Sequence, residues 1–343
     1  MRIVTLDSNW VKQYEALCAG LEGLTIYSTW RYRCFIEALL GCEATYLGAV
    51  KENGELAAAL PLMRQGGPLG DVLNSLPFFG SYGGLLGTNP VGRAMLIDNY
   101  KAILASDKTA AATIIDNPLC SLHENVPHDF TDSRIGQITS LVFDDEPETT
   151  LLGRIDGSAR RNIKKAEQAG VEVEIDNNAW EALESIHREN MDAIGGRSKP
   201  AEFFGLLPRF LTADIDYRMF VARRGGRVVA ALLVLYAGKV ADYYIPATRL
   251  DERASQPSAL LLLRGMLDAH ARGYEIWNWG GTWTTQEGVL QFKRKWAAEE
   301  RPYRYYTAVR AEAVLCASRE RLLADYNHFY VLPFDRLKAG SPA

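Results

Sequence analysis

Three stretches carry residue types that could do chemistry. In one, Trp279-Gly280-Gly281-Thr282 is followed a helix later by Lys293-Arg294-Lys295. A glycine pair at the end of a strand lets backbone amides approach a ligand with no Cβ in the way. Gly280, Gly281 and Thr282, with Arg294 beyond them, are therefore candidates to hold an activated, anionic donor. Trp283 continues an aromatic wall at the same place and is a candidate on the substrate side. A second stretch, residues 158–170, places Arg160, Arg161, Lys164 and Lys165 in the first two turns of a predicted helix. The helix dipole disfavours cations there. They could be kept, with the exposed amides of the helix start, for an anion; a solvated basic face is the alternative. A third run, LPFFGSYGGLLG (76–87), is glycine-rich and aromatic, and within it Ser81 and Tyr82 alone can make directed hydrogen bonds. It reads either as a tight loop whose aromatics fill a core or as one wall of a ligand cleft.

Other chemistries lack their residues. The five histidines show no HxxxH or HxH spacing and the five cysteines contain no CxxC pair, so no metal site is expected. His270 falls on an apolar helix face and reads as a core histidine. A GxSxG elbow, a Walker A loop and a GxGxxG turn are all missing. What is left suits bound, pre-activated anionic substrates, with catalysis by positioning and by stabilising an oxyanion.

The elements that must position these groups follow from periodicity and punctuation. A strand is expected over Val240–Ile245, where Tyr243 and Tyr244 alternate, one toward core and one toward the cleft. Pro257-Ser258 opens a helix whose Leu260, Leu261, Leu263, Met266 and Leu267 share a face, and Gly273 ends it. A strand Tyr274–Trp279, a turn at Gly280-Gly281-Thr282 and a helix ending in FKRKW come next. Ser158 and Gly170 are the expected ends of the basic helix. In the first half, Asn53-Gly54 marks a hairpin.

At 343 residues the chain is long for one core, and two domains are expected. The acidic, proline-marked segment 144–148 is the expected boundary, giving domains 1–146 and 147–330, with 331–343 a loose tail. Apolar content of 48% and charged content of 23% are those of a soluble globular chain. A net charge of -4 and a pI near 5.8 argue against DNA or other nucleic acid held by bulk electrostatics. Dispersed cysteines, the lack of a signal-peptide order at the N-terminus and the absence of an apolar run of roughly 20 residues lead to an expected cytoplasmic location with no membrane span.

The run SARRNIKKAEQAGVEV (158–173) is followed in order by YYIPAT (243–248), QPSALLLLRGMLDAHARGYEIWNWGGT (256–282) and GVLQFKRKWAA (288–298). This series resembles FemAB-type transferases over the whole second half, and PFFGSYGGLLG (77–87) extends the resemblance into the first. Relatives associated with exopolysaccharide export look similar. The resemblance implies a mixed α+β fold of two tandem GNAT-like domains, each a mostly antiparallel central sheet flanked by helices. It implies an N-acyltransferase moving an acyl group from an activated donor to an amino group of a sugar or cell-envelope precursor, with no bound cofactor. The donor is an acyl-CoA or an aminoacyl-tRNA. Aminoacyl-tRNA-dependent transfer in peptidoglycan bridge formation is one alternative; a non-catalytic scaffold for a precursor or partner is another. By the same resemblance Lys293 lies near the donor carbonyl and phosphates. Arg160 or Arg161 and Tyr243 or Tyr244 face the acceptor.

Two departures bear on the donor. The Q/R-x-x-G-x-G/A turn of single-domain GNAT enzymes is not evident, which leaves CoA use open. No long charged helical hairpin interrupts Ile175–Tyr217, which with the acidic pI favours a small donor over tRNA. Asp242 and Glu275 show no partner in the sequence, so no general base is named.

Overall fold

The computed structural model describes residues 1–77, 82–120 and 125–337; the Ser81 candidate lies outside the described residues. The chain divides into two compact units, 1–135 with 302–343, and 136–301. In chain order the elements of the first part are β1 (Arg2–Thr5), α1 (Val11–Ala19), α2 (Trp30–Leu40), β2 (Glu43–Ala44), β3 (Leu47–Val50), β4 (Leu56–Leu60), β5 (Met63–Gln65), β6 (Asp71–Asn74), α3 (Pro90–Leu104), β7 (Thr109–Ile115) and β8 (Phe130–Ser140). There follow α4 (Pro147–Arg154), α5 (Gly157–Gln168), β9 (Glu172–Ile175), α6 (Trp180–Ala193), α7 (Ala201–Phe210), β10 (Tyr217–Arg224), β11 (Arg227–Ala237) and β12 (Val240–Thr248). The last are α8 (Pro257–Ala271), β13 (Ile276–Trp283), α9 (Glu287–Arg294), β14 (Glu299–Val309), α10 (Glu312–Cys316) and α11 (Arg319–Asp325). None of the described helices is long and apolar enough to cross a membrane.

The first unit folds around two sets of strands. β1, β3 and β4 form an antiparallel sheet, with β3 and β4 joined through Gly54 at φ 85°, the left-handed position that Asn-Gly hairpins need. β5 pairs antiparallel with β6, β6 parallel with β7, and β7 antiparallel with Tyr305–Val309 of β14. Helix α3, capped by Asn89 Oδ1 on the Gly92 amide at 2.9 Å, packs Leu96, Ile97 and Tyr100 onto this core.

The second unit holds the antiparallel series β9–β10–β11–β12, with β13 parallel to β12. The middle of β11 is a continuous buried run, Val229–Tyr236, as expected of a strand with helices on both faces. Helices α5 and α8 cluster with Trp277, Trp279 and Trp296 in one core, and α6 packs on β11 and β12. His270 Nδ1 donates to the Leu141 carbonyl, 2.8 Å away, beside Phe143. It is a satisfied core histidine.

Four local expectations need correction. The division between units falls at Ile135/Gly136 and Arg301/Pro302, not after residue 146, because 302–343 returns to the first unit. The acidic segment 144–148 lies inside the second unit, leading into α4. The tail is not loose from 331. Val331 and Leu332 are buried, and the Tyr330 amide and carbonyl both bond the buried Asn74 side chain at 2.7 and 2.8 Å. Gly280, Gly281 and Thr282 are strand, not turn. Gly280 adopts φ 71°, which kinks β13 without ending it, and the turn comes after Trp283. Finally, Asp156 rather than Ser158 caps α5, its Oδ1 accepting the Ser158 amide at 2.7 Å.

Candidate active site at a fork in the second unit

β12 and β13 pair at three positions, Val240–Ile276, Ala241–Trp277 and Asp242–Asn278, and the pairing then stops. Both strands continue, β12 to Thr248 and β13 to Trp283. Each carries an irregularity just beyond the last pair. In β12 the register against β11 slips so that Leu233 faces Ile245 and Val234 faces Tyr243, which leaves Tyr244 as the bulged residue. In β13 it is the left-handed Gly280. The ladder between the two parallel strands therefore ends at Asp242 and Asn278.

Tyr243 and Tyr244 meet different sets of neighbours. Tyr243 packs on Trp279, with ring centroids 5.0 Å apart, and on Trp277 at 6.3 Å. Trp279 in turn meets Phe292 and Trp296 of the α9 segment. Burial pushes the Tyr243 phenol well above its usual range, so it stays protonated. Tyr244 stacks near Phe203 of α7, and the Lys199 ammonium lies 4.9 Å from each of those rings. Desolvation lowers Lys199 to about 7. The sequence reading passed over Lys199, since loop 195–200 carries no periodicity to point at it.

Lys293 is the most buried cation of the site, with 5% of its surface exposed. Its Nζ donates to Thr282 Oγ1 at 2.6 Å and to the Gly280 carbonyl at 3.4 Å. Gln137 lies behind, its Oε1 3.5 Å from the Thr282 hydroxyl and its Nε2 donating to the Leu290 carbonyl at 3.2 Å. Among the described residues no carboxylate forms an ion pair with Lys293. Burial without a counter-charge lowers its pKa from 10.5 to about 8. The structure therefore brings together Lys293, Gly280, Thr282 and the fork. Gly281 is exposed and Trp283 half-buried at the end of the same strand.

The other candidates separate from it. Arg294 is exposed and ion-paired with Glu287 at 3.1 Å and Glu300 at 2.6 Å, so its charge is already matched. Arg160 donates to the carbonyls of Leu152 and Ile155 at 2.8 and 2.5 Å, which ties it to the last turn of α4. Arg161 and Lys164 lie on the exposed side of α5. The start of that helix is joined to the end of the FKRK segment, since the Asp156 amide donates to the Lys295 carbonyl at 2.8 Å. Tyr82 is fully buried in the first unit, edge-on to Tyr303 at 5.1 Å. It fills a core. Asp242 and Glu275 do have partners: Asn278 Nδ2 donates to Asp242 Oδ1 at 2.5 Å, and Glu275 ion-pairs with Lys239 at 3.0 Å.

The second unit is thus a mixed sheet whose parallel strands part beside a buried lysine. Residues 154–294 match the family model of the acetyltransferase (GNAT) domain. Solved structures share the fold of the whole chain. FemX matches with a TM-score of 0.69 at 14% identity, over 89% of this chain and 97% of that one. The C-terminal domain of a candidate lysylphosphatidylglycerol synthetase from Agrobacterium fabrum gives 0.57 at 11%, over 95% and 99%. A tandem GNAT protein from the clavulanic acid biosynthesis pathway gives 0.50 at 12%, over 90% and 98%. No curated protein sequence matches the chain. Residues 154–294 thus match a GNAT domain, and the chain as a whole shares its mixed α+β fold with FemX and with a tandem GNAT protein.

Proposed function

We propose that the chain is an N-acyltransferase that takes an acyl group from an acyl-CoA and places it on an amino group of a sugar or cell-envelope precursor. The observation that supports this best is Lys293, buried at the fork with no carboxylate beside it. A thioester carbonyl between the splayed strands would meet the Lys293 ammonium, held in place by the Thr282 hydroxyl. The neutral acceptor amine attacks that carbonyl, the C–N bond forms, and the ammonium offsets the charge growing on oxygen. The intermediate then breaks its C–S bond, and the amine's proton ends on the departing sulfur. Arg161 and Lys164 are the cations we assign to a phosphorylated or nucleotide-linked acceptor, with Tyr244 as its orienting hydroxyl. The acceptor class rests on the sequence resemblance.

Thermal-shift binding tests the reading. Acetyl-CoA at about a hundred times its Kd should stabilise the chain by roughly 2.7 kcal/mol. Lys293→Ala should weaken that shift and lower turnover by about 10²–10³, the usual cost of removing one oxyanion donor. Wild-type protein that shows no shift with acetyl-CoA or free CoA would refute an acyl-CoA donor.

A second reading, an aminoacyl-tRNA donor, is favoured by the likeness to FemX and to the synthetase candidate, whose name states a lysyl product. A melt that shifts with bulk tRNA alone, and loses the shift steeply with salt, would select it.

A further inference from the structure

Asp242 and Asn278 occupy the last paired position before β12 and β13 part. Both side chains are buried, at 1% and 0% exposure. Where the backbone ladder ends, a side-chain bond replaces it: Asn278 Nδ2 donates to Asp242 Oδ1 at 2.5 Å. The same Asn278 amide offers its Oδ1 to the Gly280 N–H at 3.0 Å. A primary amide has donors on one side and an acceptor on the other. With a carboxyl oxygen claiming its NH₂, only Oδ1 is left for the Gly280 amide. Gly280, fixed at φ 71°, in turn presents its carbonyl to Lys293 Nζ.

We infer that Asp242 and Asn278 are positioning residues for the transfer: a buried pair at the apex of the fork that sets the Gly280 backbone and, through it, the place of the Lys293 ammonium. The inference rests on the role given to Lys293 above. It assigns no chemistry to Asp242 itself, whose carboxyl is enclosed. Held groups of this kind matter because a catalytic cation displaced by a fraction of an ångström loses most of its effect. A pair that merely stabilised the fold would leave Lys293 unchanged in any variant that still folds.

The test reads Lys293 directly. Trace labelling with acetic anhydride near pH 8 is followed by peptide mass spectrometry, with the exposed Lys12 as internal reference. Asn278→Ala should label Lys293 at least roughly threefold faster than wild type, because the ammonium loses an ordered acceptor and the amine fraction rises. Asn278→Asp should also perturb it, since two carboxyls would then meet. The double exchange Asp242→Asn/Asn278→Asp keeps both hydrogen bonds with the partners swapped, and should return labelling to about the wild-type rate. If Asn278→Ala does not fold, Asp242→Asn read against the double exchange decides the matter. Wild-type labelling in a folded single variant, or a double exchange as perturbed as Asn278→Asp, would overturn the inference. Labelling that behaves as expected, in a protein whose melt responds to neither CoA nor tRNA, would sink the proposed function and leave the positioning role standing.

Discussion

At the scale of single residues, Lys293 is held where its charge is costly, and the cost has a definite pH signature. A lysine lowered from 10.5 to about 8 binds fewer protons in the native chain than in the unfolded one between those values. Stability therefore rises with pH across that window, and the penalty is fully present below about 8. Urea unfolding should show a rise of up to about 3 kcal/mol from this group between pH 8 and 10.5. Lys293→Met should remove that part and keep the separate rise from Lys199, which begins near 7. Activity moves the other way. Oxyanion stabilisation needs the ammonium, so turnover should fall above about pH 8. A rate that stays level to pH 10 would mean that Lys293 does not act as the cation.

At the scale of elements, the kink in β13 and the join between α4 and α5 can be tested separately. Gly280 is in the left-handed region, where a Cβ costs about 1–2 kcal/mol. Gly280→Ala should lower the melting temperature by a few degrees and turnover with it, whereas Gly281→Ala, outside that region and exposed, should leave stability unchanged and weaken only donor binding. Arg160 was a substrate candidate from its place in the basic run, yet its guanidinium closes the last turn of α4. Arg160→Met should cost about 1 kcal/mol in stability and leave the turnover of folded protein unaltered. Arg161→Met should do the reverse, raising the KM for an anionic acceptor with no change in the melt.

At the scale of the whole molecule, the end of the chain belongs to the first unit. Phe329, Tyr330, Val331 and Leu332 are all buried, and Tyr330 is bonded at its backbone to Asn74 and through its hydroxyl to Asp132 at 2.7 Å. Burying such side chains is worth about 1.5–3 kcal/mol each. Removing residues 329–343 should thus lower stability by at least about 5 kcal/mol, seen as a large fall in the urea midpoint. A shortened chain that melted like the full one would show that the segment is dispensable.

The sequence by itself determined the class of fold, most strands and helices, and the pairing of a glycine-bearing aromatic strand with a lysine one helix later. Those features are local: cap residues, Asn-Gly turns, apolar periods and an ordered set of motifs. Tertiary structure decided which polar residues are free to act. Arg160 and Arg294 look alike in sequence to Arg161, yet the first is spent on carbonyls and the second on two carboxylates, contacts made across turns and loops. Asp242 and Asn278 are each third in their strands, but only the parallel register of β12 with β13 sets them side by side. The boundary escaped the sequence for the same reason. An acidic, proline-marked segment reads as a linker, whereas strand pairing over nearly two hundred residues of separation, Tyr305 with Ile115, is what returns the last segment to the first unit.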